Sequence, residues 1–150
     1  MYKTILVPLD GSKFSESALG HASAVAQGCQ AEKVVLFRAV EPIIVDVKDY
    51  IGADKARETE QKREADAQNY LDSIAVDLKK QGIPVETELV VDGEPAEKIV
   101  EYIKNKKVDL VIMSTHGRTG FKQWVFGSVA HKVLVHSSVP ILMVVPKGRE

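Results

Sequence analysis

Asp10-Gly11-Ser12 and Ser114-Thr115-His116-Gly117 are the two loops of this sequence richest in small and polar residues. The second continues through Arg118-Thr119-Gly120 and an aromatic-rich stretch to Gly127-Ser128. Glycines let backbone N–H groups come close to an anion. A helix opening at Gly127-Ser128 would add unpaired N–H donors and a favourable dipole. The Ser128 hydroxyl suits a phosphate or a bound Mg2+. This loop therefore reads as a polyphosphate cradle, with an ordinary glycine turn as the competing reading, and by itself it does not separate the two. Asp10 can accept hydrogen bonds from ribose hydroxyls, or it can be a turn or N-cap residue. His116 can donate to a phosphate or carry charge beside it. More often such a loop histidine is simply packed or solvated, and with no evident orienting partner it makes a poor general base. His21, His131 and His136 fall in helical stretches and read as structural.

Other chemistries find no support. The sequence has no G-x-x-x-x-G-K-[ST] loop and no G-x-G-x-x-G after its first apolar run. It has no G-x-S-x-G elbow and no H-E-x-x-H pair. Most acidic residues lie on one long charged segment, where a solvated helix face explains them better than paired catalytic carboxylates. Cys29 is the only cysteine, which excludes an internal disulfide. A formal charge of −1 speaks against a nucleic-acid binder with a basic stripe. The opening Met1–Pro8 is neither a signal peptide nor a membrane anchor, and no apolar run approaches a bilayer span. The chain of 150 residues, 45% apolar and 27% charged, is expected to be one cytoplasmic domain over residues 1–150.

The elements that must position these loops follow from periodicity. Ile5–Leu9, Val34–Val40, Leu110–Met113 and Ile141–Val145 are near-continuous apolar runs, with Arg38 interrupting the second. Such runs suit strands buried on both faces of a parallel sheet. Val85–Val91 alternates at first, as an edge strand with one wet face would. Phe14, Ala18, Leu19, Ala22, Val25 and Ala26 recur at helical spacing, with Ser12 or Ser15 as cap. Lys55 to about Lys80 carries Ala67, Leu71, Ile74 and Leu78 on one face and stops at Gly82 and Pro84. Pro95 opens a third helix and Val129 to Leu134 mark a fourth. Glu41–Gly52 lacks a period and reads as a mobile loop. Its apolar Pro42-Ile43-Ile44-Val45 suits either a lid or surface packing, with packing favoured.

Strands alternating with helices predict an α/β fold: a Rossmann-like open sheet of five parallel strands, order 3-2-1-4-5, with helices on both faces. A flavodoxin-like order is the alternative. In such sheets ligands bind beyond the carboxyl ends of the strands, where the winding reverses. In the 3-2-1-4-5 order that point lies between strands one and four, which are followed by the two loops above. This tips Asp10 toward the ribose.

Three blocks, in their order and spacing, resemble the universal stress protein family. They are Ile5–Ser12; Val111–Gly117 followed after nine residues by Gly127-Ser128; and Val139–Val145. The resemblance covers essentially the whole chain. Nucleotide-binding members carry G-x-x-G, nine residues, then G-[ST]; the matching positions here are Ser114, Gly117, Gly127 and Ser128. Serine replaces the first glycine; it is small and adds a hydroxyl. Gly117 and Gly120 are not the motif pair, since nine further residues reach Ala130. The resemblance implies ATP as ligand, with Mg2+ or Mn2+. It places Asp10 on the ribose, Pro8 and Leu9 on the adenine side and Ala39 at the adenine edge, with Met113 and Val129 flanking the phosphate loop. It also implies a homodimer through the C-terminal strand. The expected function is a nucleotide-responsive regulatory module in stress response, acting on an unknown protein partner, with no nucleic acid and no membrane. The alternatives are a slow ATP hydrolase or nucleotidyl transferase, and a dimeric adaptor with an empty site.

Overall fold

The structure is a computed structural model that describes residues 1–118 and 126–147. Five strands form one sheet: β1 (Thr4–Pro8), β2 (Lys33–Val40), β3 (Val85–Val91), β4 (Leu110–Ser114) and β5 (Ile141–Val144). Their order is β3-β2-β1-β4-β5 and every pairing is parallel, so the predicted 3-2-1-4-5 order stands and the flavodoxin-like alternative falls. The helices among the described residues are α1 (Lys13–Glu16), α2 (Ala18–Cys29), α3 (Val45–Ile51), α4 (Ala53–Lys80), α5 (Pro95–Asn105) and α6 (Ser128–His136).

Side chains alternate across each strand, so the sheet divides the core in two. Ile5, Val7, Val34, Leu36 and Ile112 face Ala18, Ala22 and Ala26 of α2 and Leu71, Ala75 and Leu78 of α4. Leu6, Val35, Phe37, Val111 and Met113 face Ala96, Ile99 and Ile103 of α5 and Ala130 and Val133 of α6. The near-continuous apolar runs thus reflect burial on both sides of the central strands. The alternating run Val85–Val91 is the edge strand β3, which has no fully buried residue. At the amino end of the sheet the Asp109 carboxylate accepts the N–H groups of Lys3 (2.9 Å) and Thr4 (2.8 Å), tying the chain start to the approach of β4.

Two expectations are corrected. The segment from Phe14 to Ala26 is not one helix. Ser17 separates α1 from α2, and its hydroxyl donates to the Phe14 carbonyl at 2.6 Å. Ser12 is the cap of α1, while Ser15 is buried and donates to the Ser12 carbonyl. Glu41–Gly52 is not a loop throughout, because Val45–Ile51 forms α3. Its period was illegible because none of its residues is buried, so no apolar face marks the helix. Of the apolar run before it, Ile43 packs inward while Ile44 and Val45 are exposed.

Candidate nucleotide site

At the carboxyl ends of β1, β2 and β4 lies a cavity of about 490 Å³. All eleven residues selected from the sequence line it: Pro8, Leu9 and Asp10 after β1, Ala39 on β2, Met113, Ser114, His116 and Gly117 at β4, and Gly127, Ser128 and Val129 at the start of α6. The split of the sheet between β1 and β4 brings them together. The β1 loop turns toward α1 and the β4 loop turns toward α6, leaving a crevice between.

Asp10 is held by its own turn. Its Oδ1 accepts the backbone N–H (2.9 Å) and the hydroxyl (2.6 Å) of Ser12. Its Oδ2 accepts the Arg118 N–H at 2.8 Å, and the Arg118 Nε donates to the Asp10 carbonyl at 2.8 Å. Asp10 therefore does serve the turn that its sequence context suggests, and it also faces the cavity. Burial opposes ionisation of this carboxyl, but the Ser12 and Arg118 donors outweigh it and hold the pKa below the usual carboxylate value. Gly11 adopts φ +87°, a conformation that side chains resist, and this lets the chain turn sharply after Asp10.

The phosphate-loop candidates are packed at backbone distance. A Cβ on Gly117 would collide with the Asp10 carboxylate. A Cβ on Gly127 would come within 3.3 Å of the Thr115 carbonyl, which accepts the Gly127 N–H at 2.8 Å. The loops leave no room for a side chain at Gly117 and only a tight fit for one at Gly127. Gly127 is also the N-cap of α6 and, as a glycine, offers no side-chain acceptor of its own to the first-turn N–H groups of this nine-residue helix. Ser114 is buried, and its hydroxyl accepts the His116 N–H at 3.2 Å. The serine in place of glycine thus braces the loop. His116 Nδ1 lies 2.8 Å from the Thr115 hydroxyl, which supplies the orienting partner that sequence reading did not find. Thr119 and Gly120 lie outside the described residues. His21, His131 and His136 are exposed on α2 and α6, away from the cavity.

Several lining residues escaped sequence reading. Arg63 and Asp66 project from α4 into the cavity's lining, but on that charged helix nothing distinguished them from a solvated face. Glu41, Pro95 and Ile99 also line it. Arg38 did leave a signal, as the one charge inside an apolar strand. Its guanidinium lies 5.0 Å from the centroid of the Tyr70 ring, and its Nε is buried without a hydrogen-bond partner. The Tyr70 hydroxyl donates to Glu16 at 3.0 Å, and burial together with that bond raises its pKa.

Among the described residues no group of three or more His, Cys, Asp or Glu is placed to hold a metal ion. No helix of the described residues is long and apolar enough to cross a membrane.

Known proteins match this arrangement. The sequence profile of the universal stress protein family covers residues 1–145. Universal stress protein MJ0531 of Methanocaldococcus jannaschii is 32% identical over 153 residues, covering 100% of this chain and 86% of that protein. The solved structure of MJ0577 superposes with a TM-score of 0.84 at 33% identity, covering 99% of each chain. A crystal structure of a universal stress protein in complex with cAMP superposes with a TM-score of 0.70 at 25% identity, covering 95% of this chain and 96% of that one. With its profile, its relatives and its strand order in agreement, this chain belongs to the universal stress protein family.

Proposed function

We propose that this protein is a nucleotide-responsive regulatory module of the stress response that binds an adenine nucleotide, ATP in the first instance, in the crevice between the β1 and β4 loops. One observation carries the reading: the glycine pair Gly117 and Gly127, the uncapped start of α6 and the Asp10 turn line one 490 Å³ cavity, a volume suited to a small-molecule ligand. The relative bound to cAMP supports the adenosine class. In this reading Ser114, Gly117, Gly127 and Ser128 hold the phosphates, with His116 beside them. Asp10 meets the ribose, Pro8, Leu9 and Ala39 border the adenine, and Met113 and Val129 flank the phosphate loop.

A Mg2+ or Mn2+ ion belongs to the proposal as a companion of the phosphates. The Ser128 hydroxyl, phosphate oxygens and water make an oxygen-rich set suited to such an ion, which would neutralise phosphate charge. Calorimetric titration with ATP, with and without metal, is the test. Saturable heat is expected, and no heat or thermal shift at millimolar ATP would refute the site.

Regulation rather than catalysis is supported by what surrounds the proposed γ-phosphate position. Efficient phosphoryl transfer needs an oriented nucleophile and cations for the developing charge. Here Arg118 is engaged with Asp10 at the ribose end. Among the described residues, His116, with Thr115 orienting it, favours slow hydrolysis as a second reading. Turnover is expected well below about 1 s⁻¹. A faster rate, abolished in His116→Ala with binding intact, would favour the enzyme.

A homodimer through β5 completes the proposal. β5 is a sheet edge, and Leu134, Val135, Leu142 and Val145 expose apolar surface beside it. A second copy would cover them by symmetric pairing. A monomer mass by light scattering at high concentration would exclude it. We place the protein in the cytoplasm, acting as one unit on a protein partner, with no part for nucleic acid or membrane.

A further inference from the structure

Arg38 and Arg118 frame the Asp10 end of the cavity, and among the described residues neither forms an ion pair with a carboxylate. Arg38 comes from β2 and reaches under Gly11, where a Cβ would lie 3.1 Å from its Nη2. The Tyr70 ring covers its other side, and its Nε stays buried and unbonded. Burial and the neighbouring Arg118 push the Arg38 pKa down more than Tyr70 and Asp10 raise it.

Asp10 is the nearest counter-charge, and it is largely spent. A carboxylate offers roughly four acceptor positions. Ser12 takes two of them on Oδ1, and the Arg118 N–H takes one on Oδ2. What remains serves one ribose hydroxyl, whereas a ribose presents two. The second hydroxyl would fall beside guanidinium groups, which can donate to its oxygen but give its proton no acceptor. Their planar forks match a phosphate far better than a neutral hydroxyl. In dinucleotide sites an acidic residue reads a free ribose hydroxyl, and an arginine nearby accommodates a ribose phosphate. This cavity holds both.

We propose that Arg38 and Arg118 form an anion subsite at the ribose edge, so that the ligand class is an adenosine nucleotide bearing a second phosphate on its 2′- or 3′-hydroxyl. The proposal rests on the reading that Asp10 faces the ribose. Affinity for the 5′-phosphate and for the ribose-edge phosphate then comes from opposite ends of the cavity, the α6 start and the arginine pair.

The test is calorimetric titration with AMP, ADP, adenosine 2′,5′-bisphosphate and adenosine 3′,5′-bisphosphate. At least one bisphosphate is expected to bind about tenfold more tightly than AMP, the gain of one charge-assisted contact. That ratio should fall toward one in Arg38→Gln and in Arg118→Gln. The latter residue is exposed, which protects the fold if the former variant proves unstable. The ADP-to-AMP ratio should not follow, because its added charge lies at the other end. Bisphosphates no tighter than AMP, a preference intact in both variants, or an ADP ratio that falls equally would each overturn the subsite while leaving the nucleotide site standing. Silence toward every nucleotide would overturn both.

Discussion

Two aspartates sit in loops at opposite ends of the sheet and do different work with the same side chain. Asp109, at the amino end, gives one oxygen to two backbone N–H groups and fastens the chain start beside β4. Asp10, at the carboxyl end, divides its two oxygens between its own turn and a loop that arrives from 108 residues away. One closes the fold; the other joins two separate loops at the mouth of a cavity. A carboxylate that fastens neighbouring backbone at the amino end is architecture. One bonded across a crevice, beside two arginines that form no ion pair among the described residues, suits the ligand site proposed above.

The strongest way to sharpen this contrast is to fill the carboxyl end. Gly127→Glu would drive a side chain toward the Thr115 carbonyl and set a negative charge where phosphate is proposed. Nucleotide affinity should fall by more than about a hundredfold, since both a lost contact and a repulsion are involved. Far-UV dichroism should stay near that of the parent, and normal ATP binding would show that the phosphates lie elsewhere. Asp109→Ala should do the reverse. Losing these two bonds, whose exposed or part-buried donors water can reach, should cost about 1 kcal/mol of stability in urea unfolding, while the dissociation constant for nucleotide should not move. A change in affinity without loss of stability would break the comparison.

Asp10→Asn is intermediate. Affinity should drop about tenfold for loss of a charged acceptor. Its pH signature is specific. Because the folded-state pKa is depressed, the carboxylate contributes its stability above the unfolded value of about 3.9 and loses it as pH falls below that. The stability gap between parent and variant should therefore be open at pH 6 and narrow on descent toward pH 3. A gap that widens on acidification would contradict the assignment. The smallest effect is expected from Ser114→Gly, which restores the glycine of the family pattern but removes the acceptor of the His116 N–H. Affinity within about threefold of the parent is expected by titration, and a large gain would mean that the serine obstructs the site.

The sequence made the sheet legible because its central strands are buried on both faces, so apolar runs stood out from charged helices. It also made the β1 and β4 loops legible, since glycine and small polar residues cluster there. It could not reveal α3, whose seven residues bury nothing, nor the break at Ser17, whose hydroxyl and N–H both donate to the Phe14 carbonyl. Arg63 and Asp66 were hidden for the opposite reason: a charged helix has many such residues, and only packing decides which of them turn toward a cavity. Arg38 was visible as an oddity, but its meaning required knowing that Gly11, Tyr70 and Arg118 would converge on it.

The register of β2 has a consequence for how this site can change over time. Arg38 pairs with Leu89 and Ala39 with Val90, so the two neighbours point to opposite faces of the sheet. Arg38 meets Tyr70 of α4, and Ala39 joins the layer under α5. Insertion of one residue within β2 would exchange the faces of every residue beyond it, sending the guanidinium among the apolar side chains of α5 and the small residue toward α4. Insertions in the segment after Val40 carry no such penalty. A length change after Val40 therefore leaves Arg38 on its face of the sheet, whereas a one-residue insertion ahead of it within β2 would move it to the other.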